Sequence, residues 1–189
     1  RRLIVTGANA ADSEAVICHA VSGDFFSVLG VPAVLGRVLT SEDDRPGNPQ
    51  AVVVLSYGFW QRRFGLNPAV VGQVITLDDV PFTIVGVAPR EFIGSMVESR
   101  PDLWWPMHMI PQLDGAGWAE NFTNPTAQWV HIIGRLKPGV SPEQARTEMD
   151  LNYQQMLSQQ VTSFARSDDD RRRFLDHRIE LQAGAIGYS

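Results

Sequence analysis

Cysteine is nearly missing from this chain. Cys18 is the only one, so no internal disulfide and no thiolate zinc cage can form. It sits in the apolar run at residues 15–18, where it reads as a small buried side chain. Long apolar runs are missing too. The longest, residues 51–55, falls far below the roughly 20 residues that a membrane-spanning helix needs. The chain opens at Arg1-Arg2-Leu3 with neither an initiator Met nor a signal peptide, so we expect a piece of a longer protein. The glycine patterns that hold phosphate are absent: there is no Walker A and no G-x-G-x-x-G. Gly184 and Gly187 follow the last expected strand with no helix behind them. A basic stripe is also lacking. Net charge is −5, and the basic clusters are Arg1-Arg2, Arg62-Arg63 and residues 171–173. The last follows Asp168, Asp169 and Asp170 and reads as a mixed-charge solvated turn. This distribution argues against nucleic acid as a partner.

What is present is ordinary globular material. The 189 residues are 44% hydrophobic and 20% charged, enough for one good-sized domain or two small lobes. Residues 3–6 and 14–21 read as a hairpin. Asp24 is placed to cap a short helix over 25–29 that Gly30 ends. The β-branched run 51–55 reads as a buried strand. Ser56 then caps a helix over 57–64 that Gly65 ends, and Asn67-Pro68 starts another short turn. Residues 73–77 and 81–87 read as two strands joined at Asp78-Asp79, with Pro81 pointing to an edge position. Residues 102–107 form an aromatic strand, and the pleat requires Trp104 and Trp105 to face opposite ways. One is expected in the core, the other exposed or between lobes. The long connection 110–128 should carry short helices. Residues 129–136 read as a strand and Lys137-Pro138-Gly139 as a turn. Ser141-Pro142-Glu143-Gln144 is a capping box opening a helix whose inner face is Ala145, Met149, Tyr153, Met156, Leu157, Gln160 and Phe164. Residues 178–181 read as a last strand.

Reactive constellations are hard to find. His19, His108, His131 and His177 lack metal-site spacing. Met107, His108 and Met109 offer soft ligands but too few for a copper site, and read as a strand end. Ser56 follows a strand and opens a helix, yet no flanking glycine permits a nucleophile elbow, and a cap explains it. Glu42-Asp43-Asp44 and Asp78-Asp79 pair acids in polar loops, where solvation is the ordinary state. Residues 41–44 lack the D-x-D-x-D-G calcium pattern. No catalytic, cofactor-binding or metal-ligating residue is assigned, and no cofactor is expected.

Five segments in order carry a resemblance: VSGDFFSVLGVPAVLGRVLTSEDD (21–44), AVVVLSYGFWQRRFG (51–65), VVGQVITLDDVPFTIVGVAPREF (70–92), PDLWWPM (101–107) and GRLKPGVSPEQARTEM (134–149). Together they resemble the MacB-like periplasmic core domain of ABC-transporter permeases, of the duplicated orphan type within the FtsX-like superfamily. The resemblance implies an α+β extracytoplasmic domain of a cell-membrane protein, with Arg1 and Ser189 each near a membrane crossing. It implies two lobes: a porter-like α/β lobe split between 1–23 and 127–189, and a mixed lobe inserted at 24–126. The family's first lobe begins with a further strand and helix, so the N-terminal part is expected to be trimmed. The implied role is non-catalytic, relaying ATP-driven movement in efflux or envelope processes. Implied partners are the protein's own transmembrane helices, a cytoplasmic ATPase, a periplasmic adaptor or cargo, and a second copy through the parent permease. The alternative reading is a stand-alone periplasmic ligand- or peptide-binding module.

Overall fold

A computed structural model describes residues 2–6, 13–96, 99–124, 127, 129–164 and 167–184, with side chains between 129 and 164 described to 161. Gly187 lies outside these residues. The separation of Arg1 and Ser189 also lies outside them. The chain divides into two units, Arg1–Ile133 and Gly134–Ala185.

The first unit is a sheet that closes on itself. Its strands are β1 (Arg2–Thr6), β2 (Glu14–Val21), β3 (Leu35–Gly36), β4 (Val52–Leu55), β5 (Val74–Leu77), β6 (Val80–Val87) and β7 (Leu103–Pro106). They run in the order β3-β6-β4-β7-β2-β1-β5, and β5 also pairs with β6. Six strands therefore form a ring, with β3 attached outside it to β6. Closure leaves no open edge among those six. The expected hairpin forms, with Leu3 opposite Val16 and Val5 opposite Glu14. It joins β7 in parallel, Cys18 beside Leu103 and Ala20 beside Trp105. Residues 2–21 thus share one sheet with 52–106, across the lobe boundary expected at residue 23. The physical reason is that a two-stranded hairpin alone is marginal in water, and β7 and β5 supply its missing neighbours.

Alternation along each strand fills the ring. Leu3, Val5, Val16, Cys18, Val53, Leu55, Ile75, Leu77, Phe82, Ile84, Leu103 and Trp105 are all buried in one cluster. Burying such side chains contributes roughly 1.5–3 kcal/mol each. A second cluster lies on the outer face of β4 and β7: Phe26, Leu39, Val54, Ala88 and Trp104. The short helix α1 (Phe25–Leu29) delivers Phe26, whose ring meets Trp104 edge-on at 5.5 Å. Both tryptophans are consequently core residues, on opposite faces of the same strand. The expectation that one is exposed or between lobes is corrected: the sheet is covered on both sides here.

Local signals mostly act as read. Ser56 accepts the Phe59 N–H at 3.2 Å to start α2 (Tyr57–Phe64), and Gly65 ends it left-handed. Asn67 caps the turn at Pro68–Val70. Asp24 is the exception, since its side chain makes no capping bond and Ser27 Oγ instead donates to its carbonyl at 2.8 Å. The 110–128 connection holds α3 (Ile110–Asp114) and a 3-10 segment, Ala116–Phe122. Pro81 lies in β6, which has three neighbours rather than an edge. The proline is tolerated because β4 begins pairing only at Thr83. Opposite Thr76 it occupies the hairpin pair next to the turn-closing one, where the backbone N–H points away from β5. Between Val53 and Val54 the register skips Val85, a bulge on β6. Gly86 follows it, where a Cβ would stand 2.1 Å from the Arg37 carbonyl oxygen. Only glycine lets β3 approach that closely.

The second unit is helical. In α4 (Pro142–Phe164), Ser141 Oγ accepts the Gln144 N–H at 3.2 Å while Gln144 Oε1 accepts the Ser141 N–H at 2.9 Å. The capping box is therefore complete. Leu157 and Val161 are buried, and Tyr153 and Gln160 half-buried. Met149 and Met156, expected inward, are 39% and 37% exposed. The inner face turns instead through Asp150 and Gln154, which hold the segment after α5: Asp150 Oδ1 accepts the Ile179 N–H, and Gln154 donates to the His177 carbonyl. The acidic-basic run at 168–173 is no turn but α5 (Asp168–Leu175). Ser167 caps it, three aspartates sit at its positive end, and Asp169 pairs with Arg172 and Arg173. The strands expected at 129–136 and 178–181 do not form. A strand needs a ladder partner, and among the described residues the sheet runs only through β1 to β7; Ile179 gives its N–H to the Asp150 side chain instead. Ile132 is left 83% exposed.

The β5–β6 turn supplies a test. Asp78 and Asp79 both have positive φ, 42° and 67°, the type I′ geometry that costs a non-glycine residue about 1 kcal/mol. Asp78 offsets this by accepting the Ile4 N–H at 2.9 Å. Asp79→Gly should therefore raise unfolding stability by about 0.5–1 kcal/mol in urea titration, and Asp78→Gly should not.

Candidate functional site

Two polar constructions stand out from the apolar framework. The first is the acidic loop after β3. Asp43 and Asp44 are 4% and 7% exposed, so the expectation of solvated acids is corrected. Burial disfavours the Asp43 carboxylate, yet its pKa ends below the ordinary value because partners outweigh that cost. Arg37 grips it with two bonds, Nη1 to Oδ2 at 2.6 Å and Nη2 to Oδ1 at 2.8 Å. Thr40 adds its N–H at 2.8 Å and its hydroxyl at 2.9 Å. Asp44 accepts from the Gly23 N–H at 3.1 Å and the His108 N–H at 2.9 Å, and its Oδ1 lies 3.0 Å from His108 Nδ1. Gly23 allows this, since a Cβ there would stand 2.3 Å from the Thr40 carbonyl oxygen. Glu42 remains exposed and pairs with Arg45. Asp43 and Asp44 fasten three chain segments together, and both oxygens of each accept from protein donors. His108 belongs to the latch, with its ring stacked on Phe122 at 4.6 Å. Phe122 in turn meets Trp129, whose Nε1 donates to the Asn121 carbonyl.

The second construction is a cleft of about 300 Å³ at the N-terminal end of α2. Ser56 N donates to the Asp102 carbonyl at 2.8 Å and Ala88 N to the Leu55 carbonyl at 2.8 Å. Those two bonds bring the segments at 88–93 and 99–102 to either side of the helix start. The cleft is lined by Tyr57, Arg62, Arg90, Phe92, Arg100 and Asp102, among others. Arg62 bridges Asp102 at 3.1 Å and Glu14 at 2.9 Å. Burial acts against the Arg62 charge, but Asp102 and Glu14 raise its pKa overall. The Arg90 guanidinium lies 5.9 Å from the Tyr57 ring centre. Arg90 and Arg100 make no ion pair or hydrogen bond among the described residues. Sequence reading missed this cleft, because its arginines lie far apart in the chain and only the fold joins them.

The other candidates sit apart. Ser56 spends its oxygen on the helix cap. His19 lies on the outer face of β2, in register with Trp104, with Nε2 2.9 Å from Ser99 Oγ. Burial lowers its pKa from 6.5 to about 4. Among the described residues no group of three or more His, Cys, Asp or Glu is placed to hold a metal ion. None of the described helices is long and apolar enough to cross a membrane.

A model of the MacB-like periplasmic core domain family matches residues 2–151. The chain belongs to that family. The macrolide export ATP-binding/permease proteins MacB of Salmonella paratyphi A and Salmonella typhimurium are each 27% identical over 138 residues, 71% of this chain. The chain spans only 19% of their length. The crystal structure of the periplasmic region of MacB from Actinobacillus actinomycetemcomitans matches with a TM-score of 0.57 at 16% identity, covering 88% of this chain and 74% of that one. The extracellular domain of the noncanonic ABC-type transporter YknZ from Gram-positive bacteria matches at a TM-score of 0.48 and 15% identity, over 61% of this chain and 55% of that one. The α+β class and the family expected from the sequence are thus borne out, and with the family a periplasmic core domain.

The titrating groups predict a two-step acid profile. His19 has a folded pKa below its unfolded 6.5, so unfolding takes up a proton and stability falls as pH drops from about 6.5 to 4. Asp43, held below 3.8, protects the fold above that value and fails as pH falls further. His19→Gln should flatten the first step of stability measured against pH. Asp43→Asn should flatten the second and cost about 2 kcal/mol at neutral pH, a figure kept modest by the solvent screening of Arg37.

Proposed function

We propose that this domain works outside the membrane as the non-catalytic part of an ABC-transporter permease. It contacts partner proteins or cargo there and passes on movement driven by nucleotide hydrolysis. The observation that carries the reading is the span of the family match. It runs through the closed sheet and past Ile133 into α4 of the second unit. A closed ring of strands packed with apolar side chains suits a part that moves as a rigid body. The Salmonella relatives are named macrolide export ATP-binding/permease proteins, which supports ATP as the energy source. The partners we assign are transmembrane helices of the full-length protein, a cytoplasmic ATPase subunit or domain, a periplasmic adaptor or cargo, and a second copy of the permease.

The full-length permease with its ATPase, reconstituted in proteoliposomes, tests this. Replacing residues 2–184 by a flexible glycine-serine linker should leave basal ATP hydrolysis in place and abolish its stimulation by cargo or adaptor. Unchanged stimulation without the domain would sink the reading.

A further inference from the structure

We propose that the cleft at the start of α2 docks an acidic peptide segment of a protein partner, gripped by Arg90 and Arg100. The proposal deepens the partner-contact reading above and rests on it for the existence of a partner. Among the described residues that line the cleft, three are arginines and one, Asp102, is a carboxylate. Arg62 is already committed to Glu14 and Asp102, which leaves Arg90 and Arg100, both exposed, as the cleft's unspent charge among the described residues. The chain as a whole carries a net charge of −5. A positive cleft on an acidic protein is a localised field, and it favours an anionic partner. The first turn of α2 reinforces that sign, since its leading N–H groups lack intrahelical acceptors and the helix dipole is positive there. At Gly58 the space where a Cβ would stand is empty, so this backbone is uncovered.

Shape and polarity choose a peptide over a bare anion. About 300 Å³ is room for more than one side chain and far more than a phosphate ion fills. Tyr57, Phe92 and Ile93 supply an apolar wall, with Ile93 47% exposed. A strand of Glu or Asp alternating with apolar residues satisfies both kinds of lining. A membrane surface offers headgroups in a plane and would leave the concave apolar wall unfilled.

Fluorescence anisotropy on the full 189-residue chain tests this, with a fluorescein-labelled hexapeptide of alternating glutamate and leucine as probe. Binding should be saturable and weaken with added salt. The double variant R90E/R100E should bind roughly tenfold more weakly or worse. The same peptide with glutamine for glutamate should lose affinity comparably. Thermal melts must show the double variant folded, and K137E, a charge reversal in the other unit, should bind like the parent. Equal affinity of the double variant or of the glutamine peptide would overturn the proposal. So would arginine-dependent capture by phosphatidylglycerol vesicles without peptide binding, which would assign the cleft to lipid. A negative peptide result beside normal loss of stimulation in the linker-replaced permease would refute the cleft alone.

Discussion

A pleated strand sends consecutive side chains to opposite faces, and at β7 that rule puts an indole on each. Trp105 points into the ring and meets Phe82 edge-on at 6.0 Å. Trp104 points outward into the cluster with Phe26 and Phe92. β7 lies between β2, which it pairs with in parallel, and β4, which it pairs with antiparallel. It therefore sets the register of the N-terminal hairpin against the middle of the chain. The strand also shows what packing can outweigh, because both indole N–H groups are buried without a partner among the described residues. Each orphan donor costs about 1–3 kcal/mol. A large aromatic surface buried on each side offsets that cost, and the ring closes around it.

Polar groups follow a second rule, that burial is tolerated where donors converge. Asp43 and Asp44 are adjacent in sequence yet serve different segments. Asp43 closes its own loop through Thr40 and reaches back to Arg37, while Asp44 ties the start of α1 to the residues after β7. Removing one partner from such a set leaves a desolvated charge, which costs more than the pair contributes. Asp102 acts the same way at the other end of β7. Its Oδ2 accepts the Ile17 N–H at 3.0 Å and its Oδ1 takes Arg62. The strand at the centre of the fold is thus pinned by a carboxylate at its entrance and by another just beyond its exit.

Much of this was legible in the sequence because it is local. Ser56, Asn67 and Ser141 cap helices within three residues of themselves, and Asp78-Asp79 turns a hairpin on its own backbone. The family, too, was readable from five ordered segments. What escaped depends on residues distant in the chain. Nothing in the run Glu42-Asp43-Asp44 announces that His108 and Gly23 will supply its donors. Residues 129–136 have the apolar, β-branched content of a strand, but composition records the wish for a neighbour and not its presence. The charges at 168–173 were misread for the opposite reason: composition was weighed above the cap at Ser167 and the dipole-matched order of acids before bases.

The cleft at α2 shows the same limit where it bears on function. Arg62, Arg90 and Arg100 are unremarkable surface residues in the sequence. Two backbone hydrogen bonds, Ser56 to Asp102 and Ala88 to Leu55, bring them round one helix end. The fold then treats them unequally. Arg62 is absorbed by Glu14 and Asp102 and braces the sheet, with its guanidinium 5.2 Å from the Phe59 ring centre. Arg90 and Arg100 contribute nothing comparable to the framework. The division between framing charge and unspent charge thus runs between arginines of a single cleft.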